Sequence, residues 1–374
     1  MRAAPPFRID VPESDVADLR QRVRRTRWPD QLDGVGWQYG TEPGYLRELA
    51  GYWADAYDWR RVERRLNTCP QFRAPIDGLN VHFVHRRGRG PAPFPVLVLH
   101  GWPSSFVQML DLAPLLTDPA TPEDSFDVVV ASLPGFAFSD ASARPGMSEV
   151  AMAHLFHRLM TEVLGYSRYG VRASDLGARV AKQLAAHHSA EVAGIHLSGS
   201  PPRADNPPAN PSPAVREYLR AVQRWTANEA GYSEQQSTRP QTLAYALNDS
   251  PVGLAGWIVE KFRAWSDCDG DVERRFTKDD LLTTVSIYWF TATIGSSMRM
   301  YYESAHARTR AWDVPTAYLM SSRDTVPVPR EWLERTSRID RWTDVDRGGH
   351  FLEWEEPQLV ADDMRAFFRP LRPR

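Results

Sequence analysis

The apolar positions change their period along the chain, and each change marks a boundary. From Phe7 to about Asn67 they recur at helical spacing. Val16, Leu19 and Val23 follow a candidate cap at Ser14, and Trp28, Trp37, Tyr45, Leu49, Trp53, Tyr57 and Trp59 come after them. This density of Trp and Tyr requires a surface to pack on. After Asp77-Gly78 the runs shorten: Leu79 to His85 alternates, and Phe94 to Leu99 is a continuous apolar run of the buried-strand type. Phe126 to Leu133, Tyr169 to Ala173, Val192 to Leu197 and Thr316 to Ser321 repeat that character, with helical stretches such as Val150 to Leu164 and Ala178 to His187 between them. Strand and helix in alternation predict an α/β protein, a mostly parallel sheet covered by helices on both faces. The alternation breaks once, at a Pro/Asn-rich stretch from Pro201 to about Asn210. A long helical region then runs to roughly Ser297 before strands resume at Val314. An insertion of that size, late in the strand series, predicts a helical lid over an active site. The expected division is an N-terminal extension over 1–76, the first part of the core over 77–200, the lid over 201–312 and the second part of the core over 313–374.

Composition narrows the partner. With 374 residues, 42% hydrophobic and 25% charged, the chain can bury the core of one large domain with an appendage. Lys+Arg number 45 against 47 Asp+Glu, and this balance leaves no field for nucleic acid or an acidic membrane surface, so the expected partner is a small molecule. Cys69 and Cys268 are too few for a disulfide framework, and no Cys/His metal pattern occurs. A reducing, cytoplasmic location is therefore the simpler reading. Met1 to Pro12 lacks the apolar core of a signal peptide, and no run approaches the ~20 apolar residues that span a bilayer. Lysine occurs only at Lys182, Lys261 and Lys278, a bias assigned to genome composition and given no mechanistic role.

The candidate chemistry centres on Tyr169-Gly-Val-Arg-Ala-Ser-Asp-Leu-Gly-Ala178, between a strand and a helix. A nucleophile elbow needs small residues two before and two after the reactive side chain. Centring it on Asp175 puts Ala173 and Gly177 there, whereas centring it on Ser174 puts Arg172 and Leu176 there, so Asp175 is favoured; its bland alternative is a helix N-cap. His100-Gly101-Trp102-Pro103 follows an apolar strand, where this fold builds the loop that donates one oxyanion N–H; the other comes from the residue after the nucleophile, Leu176. His100, Gly101 and Pro103 are expected to line the substrate pocket. In the order nucleophile, acid, histidine, Asp324 follows the strand Thr316 to Ser321, and His350 follows two glycines late in the chain. Glu303 and Glu331 are rival acids, and neither follows a core strand.

Together with these residues, several further motifs resemble the microsomal and juvenile-hormone epoxide hydrolase family. They are Ser237-Thr-Arg-Pro-Gln-Thr242, Asn248-Asp-Ser-Pro-Val-Gly-Leu254 with Glu260-Lys-Phe262, Tyr288-Trp289, Ser296-Ser297 leading to Arg299-Met-Tyr301, and Arg347-Gly-Gly-His350. The aromatic-rich start resembles that family's N-terminal domain, so the resemblance covers nearly the whole chain. It implies an α/β-hydrolase fold, a small-molecule epoxide as substrate, no metal or organic cofactor, and two lid tyrosines that hold the epoxide oxygen. By motif position these are Tyr232 and Tyr301, with Tyr302 and Tyr245 as rivals. The chain departs from the pattern at the elbow, where Leu176 stands for the usual Trp and Ala173-Ser174 for Gly-Gly; the microsomal relatives also carry a membrane anchor ahead of the N-terminal domain, and none is expected here.

The implied reaction has two steps. Tyr232 and Tyr301 polarise the epoxide while Asp175 forms an ester, and His350, oriented by Asp324, then activates water as the N–H groups of Trp102 and Leu176 hold the oxyanion. The alternatives are a haloalkane dehalogenase and a non-catalytic ligand-binding descendant. A role in detoxification or secondary metabolism is open, as is a monomer against a homodimer.

Overall fold

The computed structural model describes residues 4–199, 206–305 and 310–372. Three helices open the chain, α1 (Glu13–Arg24), α2 (Pro43–Asp55) and α3 (Trp59–Leu66), preceded by the short strand β1 (Pro6–Phe7). Then follow β2 (Gln71–Ile76), β3 (Leu79–Arg86), β4 (Phe94–Leu99), α4 (Leu112–Thr117), β5 (Phe126–Ala131), α5 (Glu149–Arg158), β6 (Tyr169–Ser174), α6 (Asp175–His187) and β7 (Val192–Ser198). Six helices come next: α7 (Pro213–Glu229), α8 (Gly231–Thr238), α9 (Pro240–Leu247), α10 (Pro251–Trp265), α11 (Lys278–Thr291) and α12 (Ile294–Glu303). The chain closes with β8 (Thr316–Ser321), α13 (Arg330–Leu333), β9 (Arg341–Val345), α14 (Leu352–Glu355) and α15 (Pro357–Phe368).

The nine strands form one sheet in the order β1-β2-β3-β5-β4-β6-β7-β8-β9. The first pairings are antiparallel and those from β5 to β9 are parallel. Every residue of β5, β6, β7 and β8 is buried, as apolar runs without alternation require when helices cover both faces. The expected strands over Phe94–Leu99 and Thr316–Ser321 are found with those bounds. β2 carries no apolar run long enough to announce itself, and its pairing with β3 supplies what its sequence does not. The Ser14 cap is corrected: α1 is capped by Pro12, and Ser14 lies inside the helix with its hydroxyl on Asp15.

The aromatic anchors of the N-terminal helices reach the helical insertion. Trp53 Nε1 donates to Ser286 Oγ at 3.2 Å, Tyr57 OH lies 3.2 Å from Thr283 Oγ1, and Trp59 packs on Phe290 at 4.8 Å. These segments therefore bury their large rings against α11 of the same chain. Part of the Pro201 to Asn210 stretch lies outside the described residues. No helix among the described residues is long and apolar enough to cross a membrane.

Candidate active site

The parallel strand order brings the carboxyl ends of β4, β6, β7, β8 and β9 side by side, the place where open α/β sheets hold their ligands. Asp175 is the first residue after β6. Its φ of 49° lies in the left-handed region that non-glycine residues rarely occupy, while Ser174 remains extended at φ -133°. The sharp turn is thus at Asp175, and its tightness is visible two residues on. A Cβ on Gly177 would sit 2.6 Å from the carbonyl oxygens of Leu99 and His100, so no larger residue fits. The Asp175 N–H donates to Gly199 O at 2.6 Å, which ties the turn to the end of β7.

Around that carboxylate the other sequence candidates converge. Trp102 N–H donates to Asp175 Oδ1 at 2.8 Å. The Leu176 N–H belongs to the first turn of α6, where helical N–H groups have no acceptor within the helix. His350 Nε2 stands 3.3 Å from Asp175 Oδ2, and its Nδ1 is 2.9 Å from Asp324 Oδ1. Gly348-Gly349 make this approach feasible: Gly348 has φ 72°, and a Cβ on Gly349 would lie 2.5 Å from Trp265 O. The His350 N–H in turn donates to Trp265 O at 2.8 Å. Burial works against a charged His350, yet Asp324 and Asp175 together outweigh it and hold the imidazole well above its ordinary range.

Tyr232 and Tyr301 close the site from the helical insertion. Tyr232 stacks on Trp102 with ring centroids 5.2 Å apart and planes 6° apart, and Tyr301 stands edge-on to both rings at 6.0 Å. The Tyr301 hydroxyl is buried with no hydrogen-bond partner among the described residues. Burial first, then the charge of Asp175 for Tyr232, and Tyr232 followed by Asp175 for Tyr301, keeps both phenols protonated far above neutral pH, as hydrogen-bond donors. The rivals Tyr302 and Tyr245 are exposed.

Two expectations change. His100 does not line a pocket: its Nδ1 bonds Gly101 O at 2.9 Å, its Nε2 accepts from Leu133 N at 3.3 Å, and burial pushes its pKa down to about 4, so it braces the loop. Lysine was given no role, yet Lys261 is buried with Nζ 4.8 Å from the Tyr232 ring and 2.5 Å from Glu260. The only sequence signal was the Glu260-Lys261-Phe262 motif. Gly101 approaches so closely that a Cβ would be 2.3 Å from Asp175, and Pro103 follows a cis peptide bond at Trp102.

Beneath the elbow lies a charged network that sequence reading passed over. Arg172 is fully buried; its Nη2 donates to Ser198 Oγ at 2.6 Å and pairs with Glu353 at 2.8 Å. Its Nη1 is 2.8 Å from His196 Nδ1, whose Nε2 bonds Asp363 at 2.8 Å. Truncating one partner strands a buried charge. Arg172→Met should cost about 3–5 kcal/mol in urea unfolding, and adding Glu353→Gln should recover part of it. If Arg172→Met is neutral, the network is not a fixed part of the fold.

The buried imidazoles also set an acid limit. Burial lowers His82 to about 3, and His100 and His196 to about 4, against about 6.5 when unfolded. Between about pH 6.5 and 4 the unfolded chain binds more protons, so stability falls as pH falls through that window. His350 acts in the opposite sense, its contribution being lost only as pH rises. The urea midpoint should therefore be lower at pH 5 than at pH 7; a flat profile would contradict neutral burial of these rings.

The sheet, the left-handed elbow and the Asp175–His350–Asp324 chain define an α/β-hydrolase. Family models agree, with "Epoxide hydrolase N terminus" matching residues 4–109 and "alpha/beta hydrolase fold" matching residues 95–246. The chain is 33% identical to epoxide hydrolase 1 of Sus scrofa over 97% of this chain and 88% of that one. It superposes on the crystal structure of juvenile hormone epoxide hydrolase from Bombyx mori with TM-score 0.88 at 31% identity, covering 100% of this chain and 95% of the other. Aspergillus niger epoxide hydrolase gives TM-score 0.89 at 28% identity, covering 99% and 97%. The chain belongs to the epoxide hydrolase family and is a hydrolase.

Proposed function

We propose that this protein opens a small-molecule epoxide with Asp175 and releases a vicinal diol. The observation that carries the reading is a carboxylate whose two oxygens are already differentiated: Oδ1 faces the Trp102 N–H and Oδ2 faces His350. Oδ2 attacks a ring carbon, the C–O bond of the ring breaks, and the alkoxide takes a proton from Tyr232 or Tyr301. The product is an ester on Asp175. His350 Nε2 then takes a proton from water as the water oxygen attacks the ester carbon. Negative charge gathers on Oδ1, between the N–H groups of Trp102 and Leu176. Collapse breaks the acyl bond to Oδ2; the two protons of the water pass to Oδ2, which leaves as a hydroxyl of the diol, and to the tyrosinate, and the water oxygen stays on Asp175. Asp324 keeps Nδ1 of His350 protonated and Nε2 available. Residues 201–312 act as the lid, with the N-terminal extension buttressing it. No cofactor is required for these steps, and a detoxifying or biosynthetic role suits the same chemistry.

The test is turnover of an aryl epoxide, with diol formation followed by chromatography and halide release followed on matched haloalkanes. Diol without halide supports the reading, and halide without diol overturns it. Tyr232→Phe and Tyr301→Phe should each lower kcat/KM about 10–100-fold, and the double variant about 10³-fold or more, since one phenol partly covers for the other. Wild-type rates in the double variant would remove the tyrosines from the mechanism.

A further inference from the structure

At the far end of α6 from Asp175, about 20 Å away along 13 helical residues, four histidines gather at the surface. His154 and His157 lie three apart on α5 and share a face, His187 ends α6, and His188 is its C-cap. The rings of His157 and His188 lie parallel with centroids 3.8 Å apart, and His154 Nδ1 is 2.8 Å from His188 Nε2. Glu191 stands three residues beyond the cap. His157, His188 and Glu191 each offer one donor atom, and these atoms all lie within 4.8 Å of one another. Nothing in the hydrolytic mechanism uses this cluster.

We propose that His157, His188 and Glu191 form a binding site for a divalent transition cation such as Zn²⁺, with His154 orienting His188. Two imidazoles and a carboxylate are the donor set of Zn²⁺ or Ni²⁺, not of Ca²⁺ or Mg²⁺, which take oxygen ligands. Metal–ligand bonds of about 2.0–2.2 Å need donor atoms about 3.3 Å apart and in the ring planes, so binding turns the His157 ring out of its stack on His188, a movement open to a partly exposed side chain. The carbonyl end of α6 adds a field that favours a cation. His154 plays the part of the partner that fixes a ligating imidazole's tautomer. Three protein ligands leave a position for water, so the ion is exchangeable, and its effect is to clamp α5 to the turn between α6 and β7.

The test uses tag-free, full-length, EDTA-treated protein, with Zn²⁺ titrated by calorimetry and Co²⁺ by its visible absorption. About one equivalent should bind with micromolar affinity and raise Tm by about 2–5 °C. His157→Ala/His188→Ala should abolish this site without altering metal-free epoxide turnover, whereas His350→Gln, which removes the imidazole beside Asp175 and Asp324, should leave it intact. His154→Ala should weaken it about 10–100-fold, and it serves as the readout where the double variant does not fold. Binding weaker than about 1 mM, binding unchanged in these cluster variants, or binding lost in His350→Gln would each overturn the proposal.

Discussion

Asp175→Asn should lower kcat/KM for an aryl epoxide by at least about 10⁴-fold while leaving Tm within a few degrees of wild type. The size of the loss follows from the role proposed: an amide forms no stable ester with the ring carbon, so the first step is lost. The fold should survive because Asn is among the few residues that tolerate the left-handed backbone held at φ 49°, and it keeps the shape of the side chain packed against Gly101. In wild type, one turnover in oxygen-18 water with excess enzyme should place label in the Asp175 peptide and none in the diol. Label in the diol alone would mean that water attacks the epoxide directly, and the ester scheme would fall with it.

What the sequence revealed about the site, and what it hid, divides along a physical line. The elbow register was legible because a strained turn excludes side chains: Gly177 has backbone oxygens 2.6 Å from where a Cβ would stand, and only the Asp175 register places small residues at both flanks. His350 was legible for a related reason, since Gly348-Gly349 permit the loop to approach Trp265. Tyr232 and Tyr301 came only through family resemblance. Their convergence on Trp102 depends on how six inserted helices fold back over the sheet, a tertiary fact with no local pattern. The role assigned to His100 failed because a histidine beside a catalytic loop looks the same in sequence whether its nitrogens face substrate or backbone. Arg172 shows the converse. It entered the sequence argument as a residue too large for one elbow register, whereas in the fold its guanidinium lies beneath the turn and joins β6 to β7 and α14 through Ser198 and Glu353. A buried charge of this kind is specified by partners 26 and 181 residues away, beyond any window of periodicity.

His350→Gln should separate the two steps. The nucleophile and the tyrosines remain, so one equivalent of epoxide should be consumed and the protein mass should rise by that of the epoxide, carried on the Asp175 peptide. Diol release should slow by about 10³-fold or more, because the base that activates water is gone. The wild-type pH dependence follows from the same geometry. In the free enzyme burial disfavours the imidazolium, but Asp324 and Asp175 outweigh that cost and hold His350 well above its ordinary pKa. Ester formation neutralises Asp175 while burial and Asp324 remain, so one of the two supports is removed and the His350 pKa falls. The intermediate thereby generates the neutral base that destroys it. The rate of ester decay should rise with pH through a pKa lower than the one that NMR titration finds for His350 in the free enzyme. Equal values in the two states would show that Asp175 does not govern the protonation of His350; rapid diol release by His350→Gln would remove His350 from the hydrolytic step altogether.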